Sequence, residues 1–361
     1  MNQTLEGLGL LDSTNPQAPG EQASGEQASG EQASGERSSG EQASGEQKKP
    51  RVFVDCTTGR GGHALAIAQR LFPGDRLICL DADPKNLTFA KERIAAASVG
   101  CAVDFVHSNF TQLPMVLGKL GIEAVDGILA DLGLSTNQLL SSETGLSFNA
   151  GGPLDMRIDP RTKLTAGEIV NTWPEKEIAD LVFNLADERY SRRIARKIIE
   201  SRRIAPILDS RRLAEVIRSA VPGVKKSRAG KGQSGGSRRP GRSTESIDPA
   251  TRTFLALRMK VNRESENLRD LLTQAPDCLR PGGRLAVISF QSTEDRIVKH
   301  TFIELAKDLA LQGEGYGFGH GVAAPVFRII TKKPVGPTDD EVLANPRSRS
   351  AKLRVVERLA T

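Results

Sequence analysis

The apolar positions follow two different periods along the chain. Between residues 51 and 137, short apolar runs alternate with segments of helical spacing. Residues 51–55, "DRLICLDAD" (75–83), "AVDFVHSNF" (102–110) and "VDGILADLG" (125–133) read as strands, and all but the third carry an acid at or near the end. Residues 63–71 and "PKNLTFAKERIAAA" (84–97) read as helices, the second opened by a proline. This β-α alternation predicts a parallel sheet covered by helices on both faces. It stops after residue 137, and residues 165–222 read as helical throughout. There Ile194, Ile198 and Ile199 form one apolar face surrounded by Arg192, Arg193, Arg196, Lys197, Arg202 and Arg203. A single long helix is expected over 249–279. Strands at 280–290, 326–333 and 352–359, with a helix after the first, restore the α/β pattern. The pattern predicts one α/β domain (49–137 and 246–361) interrupted by a helical domain (138–224).

Two segments lack any such pattern. Residues 20–47 repeat GEQAS with no aliphatic side chain larger than Ala, so residues 1–48 read as a disordered leader. Residues 225–245 are rich in Gly and Ser, and 225–243 hold seven Lys or Arg and no acid, which predicts a basic flexible linker.

Composition narrows the class. The 361 residues are 38% hydrophobic but only 4% aromatic, so the cores must be aliphatic. A net charge of +6 is compatible with a polyanionic partner. The four cysteines show no CxxC pair and the four histidines no ligand spacing, so reduced thiols and no metal are expected. No apolar run reaches membrane-spanning length, which predicts a cytoplasmic protein with no membrane partner.

The candidate chemistry begins at Gly59-Arg60-Gly61-Gly62-His63, directly after the first strand. No Lys-Ser/Thr follows, which disfavours a triphosphate loop. Glycines here let the backbone approach a ligand and point N–H groups at an anion. Asp81, after the second strand, suits a ribose diol. Asp55 and Asp131, at two further strand ends, would repel a pyrophosphate and suit a ligand carrying an ammonium and a sulfonium. S-adenosylmethionine has these groups and no phosphate, and NAD fits less well. No Tyr-Lys or His arrangement for hydride transfer accompanies the loop.

Seven collinear motifs then carry a family resemblance: "VDCTTGRGGHA", "LDADP", "VDGILADLGLSTNQ", "GPLDMR", "PATRTFLALRMKVN", "LRPGGRLAVISFQSTEDRIVK" and "NPRSRSAKLRVVER". Over roughly residues 52–359 the chain resembles the RsmH (MraW) family of S-adenosylmethionine-dependent methyltransferases acting on cytosine N4 in small-subunit (16S) ribosomal RNA. The resemblance implies a class I (Rossmann-like) methyltransferase sheet with an inserted helical domain. It implies that Gly61, Gly62 and His63 contact the methionine part of the cofactor, that Asp81 holds the ribose, that Phe110 packs near the adenine, and that Asp131 and Gln138 close the methionine and sulfur side. For His63, action through its backbone N–H is expected rather than a catalytic imidazole.

The nucleophile would be the exocyclic amine of cytosine, a poor one because its lone pair is delocalised into the ring. The site must align it and accept a hydrogen bond as charge builds on nitrogen. Asp131 and Asp155 are the candidates for that acceptor. Arg157, Arg252, Arg258, Arg296, Arg347 and Arg349 would meet RNA phosphates, with the basic helices and linker adding attraction, and Phe148 could stack on an exposed base. The partner implied is small-subunit ribosomal RNA in an assembled or assembling particle, and a homodimer is left open.

Three departures from the family pattern stand out. The repeat replaces the family's N-terminal His-x-Pro-Val-Leu-like segment. Gln291 stands where the motif after the fifth strand commonly has His, and an amide cannot take up a proton near neutral pH, so the position is assigned to substrate positioning. The basic linker is extra. The first two of these departures motivate an alternative: a non-catalytic or altered-specificity RNA-binding assembly factor on the same fold.

Overall fold

The computed structural model describes residues 1–10, 49–222, 248–307 and 326–360. The chain builds a seven-stranded sheet from β1 (Val52–Asp55), β2 (Arg76–Asp81), β3 (Ala102–His107), β4 (Val125–Asp131), β5 (Leu279–Ser289), β6 (Phe327–Ile329) and β7 (Lys352–Arg358), in the order β3-β2-β1-β4-β5-β7-β6. The first five strands are parallel, and β7 runs antiparallel between β5 and β6. This is the class I methyltransferase sheet. The last three strands close it with an antiparallel edge, and the sixth is three residues long rather than eight.

Alternate residues of each strand face opposite layers. Val54, Ile128, Leu285 and Val356 pack under α4 (Leu113–Lys119), α11 (Glu264–Gln274) and α12 (Ser292–Leu305). Phe53, Leu77, Cys79, Leu129 and Val355 pack against α2 (Gly62–Ala68) on the other face. The helix α3 (Pro84–Ala96) starts where expected because the Asp83 carboxylate accepts the Lys85 N–H at 2.9 Å and Pro84 presets the first turn.

The helical unit has its own core. It contains α6 (Ala166–Thr172), α7 (Glu175–Ala186), α8 (Ser191–Ile204) and α9 (Ser210–Ala220), with α10 (Ala250–Val261) contributing Phe254, Leu257 and Val261. The sheet domain therefore resumes after α10, not at residue 246. The long helix expected over 249–279 is two helices. Arg263 takes a left-handed conformation (φ 52°) between them, because the apolar face of α10 belongs to the helical core and that of α11 to the sheet.

The first ten residues also depart from the leader expected for 1–48. They form α1 (Asn2–Gly7), and Leu5 and Leu8 are buried against Phe53, Leu353 and Val355. Leu5 and Leu8, one helical turn apart, and Leu10 supply an apolar face ahead of the low-complexity repeat. The repeat at 20–47 and the linker at 225–245 lie outside the described residues. All four cysteines are free and buried. Among the described residues no helix is long and apolar enough to cross a membrane.

Candidate active site

Two cavities meet at the carboxyl ends of the parallel strands. The first, of about 870 Å³, is lined by the glycine loop, Asp81, Phe110, Asp131, Leu132 and Gln138. The second, of about 840 Å³, opens toward α1, Gln291, Arg347 and Arg349. His63, Asp131, Gly133, Leu134, Phe290 and Glu294 line both and form the partition. This is where open parallel sheets bind ligands.

Strand register brings three acids to one face. Asp55 pairs with Cys79 on β2 and with Leu129 on β4. Asp81 and Asp131 stand two residues further along those strands, so all three carboxylates point toward the α2 layer. His63, in the first turn of α2, lies over them, with Nδ1 3.4 Å from Asp131 Oδ2. The imidazole thus lies within the acid cluster.

Each acid is held differently. Asp81 is buried; its Oδ2 accepts the Gly59 N–H at 2.7 Å and its Oδ1 the Asp83 N–H at 2.8 Å. Burial raises its pKa, against those two hydrogen bonds and the Asn86 side chain, whose Nδ2 lies 3.5 and 3.4 Å from Oδ1 and Oδ2. Asp55 is fully buried, and burial pushes its carboxyl up to about 7, against the pull of His63 and the Thr57 N–H. Its Oδ1 accepts from Thr57 N at 3.1 Å, and Thr57 Oγ1 accepts from Asp131 N at 2.6 Å. Asp55 Oδ2 and Asp131 Oδ1 are buried without a partner. For His63 burial works against charge, yet Asp131 and Asp55 hold the imidazole above its ordinary value.

The remaining cofactor candidates sit at the same cavity. Gly61 caps α2 at φ 76°, and a Cβ there would lie 3.1 Å from Ala90, so the loop needs glycine. Gly62 lines the wall, and Phe110 follows β3 in a short turn capped by Asn109. Gln138 closes a capping box with Ser135 on α5 (Thr136–Leu140) and donates from Nε2 to Asp83 at 2.9 Å, latching α5 to the β2 end.

The substrate candidates divide. Gln291 and Arg347 line the second cavity. Gln291 precedes α12 and donates to Glu294, from its backbone N–H at 3.1 Å and from Nε2 at 3.4 Å. Asp155 lines neither cavity: Arg157 grips both its oxygens at 2.7 and 2.8 Å and holds its pKa below the ordinary carboxylate value. That pair uses up the acid and the arginine together, because two residues of sequence let the fork fold back on the carboxylate. Arg157 also donates to Thr162 O, Arg252 lies on the helical unit near Asp187 and Glu188, and Arg296 is exposed on α12; none of the three lines either cavity. Phe148 packs edge-on against Phe254, with ring centroids 5.2 Å apart, within the helical unit.

One residue at the partition was missed. Glu294 is buried and accepts the N–H groups of Phe290 and Gln291 at 3.1 Å each. Burial, aided by the Glu264 charge, raises its pKa. Glu294 lies within the motif that follows the fifth strand, but an acid three residues after Gln291 at a helix start reads equally as a surface cap.

The family model described as the MraW methylase family matches residues 42–359. The chain is 42% identical over 307 residues to a protein of Syntrophobacter fumaroxidans named "Ribosomal RNA small subunit methyltransferase H", covering 85% of this chain and 90% of that one. It is 43% identical over 309 residues to a protein of the same name from Dehalococcoides mccartyi, covering 85% and 81%. A third of that name, from Desulfosudis oleivorans, is 40% identical over 312 residues, covering 86% and 94%.

Proposed function

The chain belongs to the MraW methylase family, and from that premise we propose that it methylates the exocyclic N4 amine of a cytosine in small-subunit (16S) ribosomal RNA, using S-adenosylmethionine. The observation that carries the reading is the partition. A cavity rich in acceptors and a second cavity reaching arginines meet at Asp131 and His63. The orphaned buried oxygen of Asp131, which lines both cavities, suits a ligand that brings positive charge and hydrogen-bond donors. When bound, the cofactor supplies a methyl group on a cationic sulfur that leaves as a neutral thioether.

The chain's own residues supply alignment and acceptors. Asp81 holds the ribose hydroxyls, Gly61, Gly62 and His63 border the methionine part, and Phe110 covers the adenine. Gln138 fixes Asp83 and so the rim of this cavity. Asp131 takes the hydrogen bond of the attacking amine, at the junction of the two cavities. A carboxylate is the acceptor that cytosine's amine calls for. Asp155 supports the loop through Arg157 instead. Arg347 and Arg349 meet phosphates at the mouth of the second cavity, and Gln291 shapes its floor.

The target base enters the second cavity only when unpaired, so the substrate is an exposed region of the RNA, and we take it to be presented in an assembling or assembled particle. The protein works in the cytoplasm, where that particle is made. The test is mass spectrometry of nucleosides from small-subunit RNA with and without this gene. Loss of N4-methylated cytosine is expected, and an unchanged profile overturns the reading. A non-catalytic assembly factor would bind the RNA yet move no tritium from labelled cofactor to small-subunit particles.

A further inference from the structure

We propose that Asp55 and His63 extend Asp131 into a proton-accepting relay, in which His63 Nδ1 is the resting place of the proton shed by the methylated amine and Asp55 is a buried positioning residue that stabilises the resulting imidazolium. This rests on the methyltransferase reading above.

The need for a relay follows from the chemistry. Once N4 has formed its bond to the methyl carbon, it carries one proton too many. The N4–H bond breaks with its electron pair left on nitrogen, and a base must take the proton. Asp131 is a carboxylate on the partition with an imidazole beside it. His63 Nδ1, 3.4 Å from Asp131 Oδ2, can take the proton onward through its own lone pair. The product is an imidazolium beside the Asp131 carboxylate.

Asp55 has no other task in sight. It is fully buried, it lies at the register position that points it into the α2 layer with Asp131, and its Oδ2 has no partner. Thr57 ties it to Asp131 by accepting from one residue's backbone and donating its own N–H to the other's side chain. A buried carboxyl left unsatisfied is costly to fold, and such a cost persists where function uses it. Facing Asp55 are His63 from α2, Asp131 from β4 and Asp81 from β2. Facing His63 are Asp131, Asp55, the Met1 amino group and Glu341 from α13 (Asp339–Ala344). A negative Asp55 raises the affinity of His63 for a proton, so removing that charge weakens the sink.

The test uses two measurements. The first is the NMR titration of the His63 imidazole in the cofactor-free full chain, with His63→Asn assigning the signal. In Asp55→Asn the midpoint is expected to move to lower pH. The second is kcat against pH at saturating cofactor on small-subunit particles, alongside calorimetric cofactor binding. For Asp55→Asn, kcat is expected to fall roughly 10- to 100-fold with the acid limb displaced to lower pH, while the cofactor Kd stays within about threefold. For His63→Asn the limb itself is expected to vanish. An unmoved imidazole titration, an unmoved limb, a loss that appears only in the cofactor Kd, or wild-type kcat in His63→Asn would each overturn the proposal. If the wild-type chain moves no methyl group to cytosine N4, the functional reading fails instead, and the imidazole titration still reports on the cluster.

Discussion

Arg258 and Glu264 bridge the corner between α10 and α11 with two contacts of 2.8 and 2.9 Å, their side chains only 15% and 16% exposed. The pair joins the last helix of the helical unit to the helix with which the chain returns beneath the sheet, and Arg258 also lines the second cavity. An arginine expected to grip phosphate is therefore already engaged. Burial opposes charge on Arg258, and Glu264 more than offsets it.

Breaking this pair on one side strands a buried charge. Glu264→Gln is expected to cost about 3 kcal/mol, and Arg258→Met with Glu264→Leu together much less. Urea unfolding of the single and double variants measures the difference. A small cost for both singles would mean the corner is held by packing alone.

Gly61 sits at φ 76° against Ala90. Gly61→Ala forces an unfavourable left-handed residue and a shift of the loop. A stability loss of about 1–2 kcal/mol and at least a tenfold weaker cofactor affinity are expected, read by thermal melts and calorimetry. Gly62→Ala, whose added methyl meets nothing within 4 Å, should fold with wild-type stability.

Asp81 and Asp155 separate the two acids by role. In Asp81→Asn an amide replaces oxygens that accept from Gly59 and Asp83, so cofactor Kd should rise on the order of 10- to 100-fold. Asp155→Asn should leave cofactor Kd unchanged and cost about 1 kcal/mol of stability, since its Arg157 pair is partly solvated. Equal effects on Kd would refute the assignment of Asp155 to loop support.

The Asp55 carboxyl, raised to about 7 by burial, predicts the sign of a stability profile. Between the ordinary carboxylate range and about 7 the native state binds a proton that the unfolded chain has released. Stability of the cofactor-free chain should therefore fall as pH rises through that window, and the raised imidazole of His63 acts in the same direction. Asp55→Asn should flatten this contribution. Melting temperatures of both proteins between pH 5 and 8 test it: the gap in favour of the variant should widen with pH.

Phosphate contacts make RNA affinity fall with salt. Arg347→Ala, at the mouth of the second cavity, should lower the slope of log K against log salt by about 1. Arg157→Ala, whose guanidinium is spent on Asp155, should leave the slope unchanged.

The sheet and its ligand edge are legible in local sequence. Short continuous apolar runs, strand-end acids and the glycine loop are local features, and a parallel sheet brings its strand ends to one edge whatever the loops do. The seven motifs added the family and, with it, Asp81, Asp131 and Gln138 at one cavity. Tertiary structure decided which charges are free to act. Asp155 and Asp131 look alike as letters; only the fold shows one clamped by Arg157 and the other facing two cavities with an unpartnered oxygen. It also turned the expected long helix at Arg263, packed α1 beside the sheet, and placed Glu294 and Asp55 in the interior. The physical reason is common to all of these. Hydrophobic period is written within a few residues, whereas burial and pairing depend on partners up to hundreds of residues away, which no window of sequence contains.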